Sequence, residues 1–321
     1  MPRLTPQADI AALRARLASE LPVGWRTRFA PAPTGQLHLG HAVNALYVWS
    51  IARAFGGTVL LRIEDHDRSR SRTAFDAAIL EDLAWLGLTP DNAAVGMPLP
   101  IRQSPDGSVY EATLADLDRA HLIYACQCSR RDISTHASTA DGAAGSRYAG
   151  TCRSACVSRD VTPARRLRID ESTVRFNDLR HGVCEQRPSD QCGDLLLRDR
   201  LGQWTYQFAV VVDDLRQGVN VVIRGDDLLE STGRQILLAR AMGREETRVY
   251  LHHPLVTHAD GTKLSKSNGD TALSALRAEG WTPSKLLGHA AWLGGLQPTP
   301  ASLPSDELAR LWDVPAGVRA H

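Results

Sequence analysis

The segment from Arg26 to Asp65 constrains the fold more than any other part of the chain. RTRFAPAPTG begins as an extended run, and its prolines prevent a helix from starting there. HLGHAVNALYVWSIARAF then reads as a long helix, GG interrupts it, and TVLLRI is a leucine and β-branched run that meets the acids Glu64 and Asp65. Strand, glycine-bearing loop, helix and strand in this order open a doubly wound α/β nucleotide-binding sheet.

Ile10, Leu13, Leu17 and Leu21 recur at helical spacing and predict a leader helix. TAFDAAILEDLAWLGL predicts another helix, closing near Gly87. VNVVIRGDDLL and RVYLHHPLV predict strands on either side of a helical STGRQILLARAMG, whereas YQFAVVVDDL suits a strand or a buried helix equally. SALRAEG and PSKLLGHAAWLGGL predict helices before a proline-rich end. All six cysteines (Cys126, Cys128, Cys152, Cys156, Cys184 and Cys192) fall between residues 111 and 194, together with the small-residue loop STHASTADGAAGS, which predicts an insertion splitting the nucleotide-binding domain. The expected organisation is a helical extension over 1–24, the two halves of the catalytic domain over 25–110 and 195–255, the insertion over 111–194, and a loop with a short helical stem over 256–321.

Composition bounds the setting. A chain of 321 residues that is 43% hydrophobic can bury a core in two to three units. No apolar run approaches the roughly 20 residues of a membrane span, and the N-terminus lacks the apolar core of a signal peptide, so a cytoplasmic protein is expected. The net charge of +1 means that a nucleic acid would be held by local basic patches, not by a global field. Arg165, Arg166 and Arg168 are candidates for such a patch, or else a solvated strand edge.

Three motifs carry chemistry. His38 to His41 (HLGH) stand where a helix begins, and a helix N-terminus offers unpaired N–H groups and a positive dipole. Two imidazoles there can donate to phosphate oxygens as charge develops, and Gly40 clears room for a flat base; the bland reading is a helix cap. Lys263 to Ser267 (KLSKS) form a polar, glycine-flanked loop holding two of the chain's three lysines, Lys263 and Lys266, as point charges suited to a departing pyrophosphate. The bland reading there is a solvated loop. Cys126, Cys128 and Cys152 with one further donor would make a tetrahedral structural zinc site; on the residues alone Tyr148 and Cys156 both serve as the fourth. Cys184 and Cys192 read as ordinary buried small residues.

HLGH and KLSKS together, with RFAPAPTG, RIEDHDRSRS and VIRGDDLLESTGRQ, resemble the signatures of class I aminoacyl-tRNA synthetases of the glutamyl type, over most of residues 26–295. The resemblance implies a Rossmann-like catalytic domain with a zinc-binding insertion and a short C-terminal α-helical stem. It implies ATP with Mg2+, and L-glutamate held by Arg28, the backbone at Ala30, Glu64, Tyr206 and Arg224. His38, His41 and Lys266 would be catalytic, with Gly40 and Lys263 completing the ATP site. Two arginines, one acid and a hydroxyl balance a substrate with two carboxylates and one ammonium. Structural alternatives are a strand-end cap for Glu64 and a pairing of Arg224 with Asp226 or Asp227; Asp65 and Asp67 read as structural or solvated. The family's RFAPSPTG serine is Ala32 here.

The resemblance favours Tyr148 as the fourth zinc donor, as in the shortened glutamyl-type paralogues. Only 54 residues follow Ser267, so no anticodon-binding domain is expected. Those paralogues imply a monomer that activates glutamate without tRNA and esterifies it onto the queuosine base at the wobble position of tRNA(Asp). The alternatives are charging of a terminal ribose, a non-catalytic tRNA-binding paralogue, and a small-molecule nucleotidylyltransferase sharing HxGH.

Overall fold

The computed structural model describes residues 7–67, 70–135, 147–155, 163–244, 248–256 and 271–313. The leader helix α1 (Gln7–Glu20) turns Leu13 and Leu17 into the core. Strand β1 (Arg26–Phe29) is followed by α2 (Leu39–Phe55), β2 (Thr58–Ile63), α3 (Thr73–Leu86) and β3 (Ile101–Arg102). β1, β2 and β3 pair in parallel, so each crossover returns the chain to the same end of the sheet. Helix α2 is apolar on nearly every face and is buried from Ala42 to Ala52 except at Asn44, as a central helix must be.

The middle of the chain builds α4 (Gly107–Arg119), β4 (Ile123–Cys126), α5 (Arg130–Thr135), β5 (Ala164–Leu167), β6 (Val174–Asp178), β7 (Gly182–Gln186), α6 (Pro188–Gln191) and β8 (Leu195–Arg198). Then follow α7 (Tyr206–Arg216), β9 (Val221–Gly225), α8 (Thr232–Ala241), β10 (Val249–His253), α9 (Leu273–Ala278) and α10 (Pro283–Leu293), with a 3-10 turn over Ser305–Trp312. YQFAVVVDDL is a helix. Its apolar positions cover one side, and its two acids, Asp213 and Asp214, are buried against long-range partners.

The strands of 111–194 divide between two sheets. β4, β5 and β8 form a separate antiparallel sheet, while β6 and its hairpin partner β7 join β10 and β9. β8 begins at Leu195, so this small sheet straddles the 194/195 boundary. β9 lies beside β1: the Asn220 amide donates to the Arg26 carbonyl at 3.1 Å, and the Asn220 side-chain oxygen accepts from Arg26 N at 2.8 Å. The main sheet thus runs outward from β1 through β2 to β3 on one side, and from β9 through β10 to β6 on the other. Such a reversal of strand order opens a crevice at the strands' C-terminal ends, where ligands of open α/β sheets bind. α10 and the Ser305–Trp312 turn pack on α2, tied by Tyr47 Oη to the Gly294 carbonyl at 2.8 Å and Trp312 Nε1 to Ser50 Oγ at 2.9 Å. Among the described residues no helix is long and apolar enough to cross a membrane.

Candidate active site

His38 caps α2 with extended backbone (φ −131°, ψ 177°), and its Nδ1 accepts from the Gly40 amide at 3.1 Å. His41 Nδ1 accepts in turn from the His38 amide at 3.2 Å, closing a capping box in which two histidines replace the usual hydroxyl and carboxyl residues. Since both Nδ1 atoms accept, the proton of each neutral ring sits on Nε2. The helix start therefore presents two imidazoles of fixed tautomer, with ring centroids 4.0 Å apart. Gly40 has a packing reason as well: a Cβ there would stand 3.0 Å from His38 Cε1 and press on the capping ring.

The adjacent crevice holds a chain of buried charges. Arg28, on β1, donates Nε–H to Asp214 Oδ1 at 3.2 Å. Arg62, on β2, donates to the same oxygen at 2.8 Å and to Glu64 Oε1 at 3.1 Å. Asp214 thus links Arg28 to Glu64 through Arg62. Burial alone would raise the Asp214 pKa, but Arg28 and Arg62 overcome it and hold the carboxyl at about 2. Asp213 faces the other way and accepts from Gln103 Nε2 at 2.6 Å and Tyr110 Oη at 2.8 Å. Tyr206 opens α7 beside this network. Burial raises its pKa, followed by the charges of Glu64, Arg224, Arg28 and Asp214.

Arg224, on β9, is buried and makes no bond to either neighbouring acid. It donates to His252 Nε2 at 2.9 Å, Gln235 Oε1 at 2.7 Å, Thr232 Oγ1 at 2.8 Å and the Leu228 carbonyl at 3.3 Å. Asp226 is held by Arg180 at 2.8 Å and His181 at 2.7 Å instead. Arg28, Arg62 and Arg224 against Glu64 and Asp214 sum to one positive charge, with Asp213 and Arg248 acting on the same network as an opposing pair, the complement of a ligand of net charge −1. Ala30 is half-buried between β1 and the α2 cap, and the Ala32 carbonyl accepts from Thr34 N at 2.8 Å. Asp65 accepts from the amides of Gln103 and Ser104 at 2.9 and 2.8 Å, and Asp67 makes a surface pair with Arg70. Lys263 and Lys266 lie outside the described residues.

The sulfurs of Cys126, Cys128 and Cys152 lie within 4.8 Å of one another. Tyr148 Oη is 3.4 Å from Cys126 Sγ and 4.0 Å from Cys128 Sγ, and it accepts from the Cys152 amide at 2.8 Å. Ligand sulfurs about 2.3 Å from a tetrahedral zinc stand nearly 4 Å apart, so this donor set fits the ion. Cys156, the competing fourth donor, lies outside the described residues. Burial opposes ionisation of Cys152, but hydrogen bonds from the Gln127 backbone, Tyr148 and the other two cysteines outweigh it and lower its pKa; Cys128 is pushed up to about 11, chiefly by burial. Cys184 and Cys192 are partly rather than fully buried, each bonded through its thiol to a backbone carbonyl.

The expectation that Arg166 lies on a nucleic-acid face or a solvated edge is corrected. Its side chain is buried, stacks 3.8 Å over the Tyr148 ring, and donates to Cys126 Sγ at 3.4 Å and the Asp194 carbonyl at 2.8 Å. It supports the cysteine cluster, and its charge favours thiolate nearby. Arg165 pairs with Asp118 at 2.6 Å, and the exposed Arg168 lies over Tyr124. Reading the sequence missed Arg62, Asp214, Asp178 and His252. The bonds that link them to the site, Arg62 to Asp214, Arg28 to Asp214, and Asp178 and His252 to each other and to Arg224, span 28 to 186 residues, and the only local hint is the acidic pair ending an apolar run.

A family model described as tRNA synthetases class I (E and Q), catalytic domain, matches residues 25–302. The chain is 41% identical over 298 residues to a glutamyl-Q tRNA(Asp) synthetase of Symbiobacterium thermophilum, covering 89% of this chain and 92% of that one. It is 44% identical over 260 residues to a protein of the same name from Ralstonia nicotianae, covering 78% and 79%. Among solved structures, a glutamate tRNA ligase from Elizabethkingia meningosepticum in complex with its amino acid superposes with a TM-score of 0.73 at 26% identity. The match covers 90% of this chain and 65% of that one.

Proposed function

Because the chain belongs to the class I tRNA synthetases of the E and Q type and is a ligase, we propose that it activates L-glutamate with ATP and transfers it to the queuosine base at the wobble position of tRNA(Asp). The observation that carries the first half is the buried set of Arg28, Glu64 and Arg224 at the sheet crevice, with the half-buried Tyr206 at the start of α7 and the histidine cap of α2 nearby. The names of the 41–44% identical relatives support the acceptor.

In the first step a glutamate carboxylate oxygen attacks the α-phosphorus of ATP, the bond to the bridging oxygen breaks, and pyrophosphate leaves; magnesium bound with ATP would offset the charge of the phosphates. Arg28 and Arg224 hold substrate carboxylate, Glu64 takes the α-ammonium, and the Tyr206 hydroxyl and the Ala30 backbone complete the fit. The Nε2–H groups of His38 and His41 donate to the phosphate oxygens as charge builds in the transition state. Gly40 keeps the cap open to the nucleotide, and Lys263 and Lys266 neutralise the departing pyrophosphate. In the second step a hydroxyl of the queuosine cyclopentene ring attacks the carbonyl carbon of the mixed anhydride, its proton passes to water, and AMP leaves. AMP is a good enough leaving group that this step asks for no dedicated base. Cys126, Cys128, Cys152 and Tyr148 would hold a structural zinc, which would brace the β4–β5–β8 sheet.

The first step is tested by exchange of labelled pyrophosphate into ATP without tRNA. Exchange should depend on L-glutamate and fall by about 100-fold or more with glutamine, which lacks the second carboxylate, or with aspartate, whose side chain is one methylene too short to place that carboxylate. Equal exchange with all three amino acids would contradict the assigned pocket.

A further inference from the structure

Asp178 ends β6 and His252 lies on β10, and both side chains are completely buried. His252 Nδ1 stands 2.7 Å from Asp178 Oδ2, and its Nε2 stands 2.9 Å from Arg224 Nε. A guanidinium only donates, so His252 Nε2 accepts. The ring proton is therefore on Nδ1 and is donated to Asp178. The other carboxylate oxygen, Asp178 Oδ1, accepts from the amides of Arg180 and His181, each at 2.9 Å, so the carboxylate cannot swing away. Arg224 has four uncharged partners, which occupy four of its five N–H groups and leave one, on Nη1, outside these bonds.

A carboxylate in direct contact would neutralise Arg224 and compete with any anionic ligand. A neutral imidazole between the two groups transmits orientation without cancelling the charge. We propose that Asp178 and His252 are positioning residues for Arg224: the aspartate sets the tautomer of the imidazole, and the imidazole sets the rotation of the guanidinium while leaving its charge for a substrate carboxylate. This rests on the assignment of Arg224 to glutamate binding.

Asp178→Asn tests it. Oδ1 accepts from two backbone amides and Oδ2 from one, that of His252 at 3.1 Å, so the new amide keeps its oxygen on the two and turns its NH2 toward His252 Nδ1. The ring then moves its proton to Nε2, against Arg224 Nε–H. Nitrogen NMR of the full chain with labelled histidine should show His252 protonated on Nδ1 in the wild type and on Nε2 in Asp178→Asn, the signal being assigned by its loss in His252→Gln. In pyrophosphate exchange, Asp178→Asn should raise the KM for glutamate roughly 10- to 100-fold, with the KM for ATP unchanged. His252→Gln offers an oxygen to Arg224 and an NH2 to Asp178, and should stay within a few-fold of wild type where His252→Leu does not.

Wild-type His252 protonated on Nε2, parallel rises in both KM values with a lowered melting temperature, or His252→Gln as impaired as His252→Leu would each overturn the proposal. Wild-type protein with no glutamate-dependent exchange would sink the substrate reading instead, and the tautomers of the two proteins would still decide the relay.

Discussion

Replacing Arg28 by leucine is expected to lower kcat/KM for glutamate in pyrophosphate exchange by a factor on the order of 10³, the cost of removing one partner of a desolvated charge pair. The fold should survive. Asp214 keeps its 2.8 Å bond to Arg62, and the remaining Arg28 contact, to the Ile223 carbonyl at 3.4 Å, is long. The KM for ATP should hardly move, because the histidine cap of α2 does not depend on Arg28. Steady-state exchange at varied glutamate and varied ATP checks this, and a loss smaller than tenfold would remove Arg28 from the pocket.

Asp214→Asn reverses that pattern. Two guanidiniums then share a neutral oxygen in a buried site, and breaking a buried pair in this way costs about 3–5 kcal/mol. Thermal unfolding at neutral pH should fall by on the order of 10 °C, and activity should fall with it. The pH dependence has a defined sign. Asp214 in the folded protein titrates at about 2, below its ordinary 3.8. Between those values the unfolded chain binds the extra proton, so stability is fully present above about pH 4 and is lost as pH falls toward 2. The asparagine variant should lack this part of the acid transition. A variant as stable as wild type at neutral pH, with the same acid profile, would show that the network does not hold the crevice together.

The contrast between these two residues shows what a sequence can and cannot convey. Arg28 is legible because it stands in a recognisable strand-to-loop segment, and HLGH because capping and dipole chemistry act within four residues. The alternation of β1, α2 and β2 is likewise local, written in prolines, glycines and apolar runs. Asp214 is not legible: it ends a run that suits strand or helix, and its importance comes from Arg28 and Arg62, more than 150 residues earlier. The RRLR segment misleads for a related reason. Charge suggests solvent at every position, yet alternate residues of β5 must face inward, and Arg166 does so because a Tyr148 ring, a sulfur and a carbonyl await it. That Tyr148 stands beside the three cysteines was suggested by resemblance alone, because spacing left it level with Cys156.

The central claim joins glutamate activation to an unusual acceptor, and one measurement tests it most directly. The full chain is incubated with ATP and labelled L-glutamate, then offered tRNA(Asp) bearing queuosine, tRNA(Asp) lacking it, and tRNA(Glu). Label should appear only on the queuosine-bearing tRNA(Asp) and should be released from it as a glutamyl ester of the base. Equal labelling of both forms of tRNA(Asp), or labelling of tRNA(Glu) alone at its terminal ribose, would contradict the account.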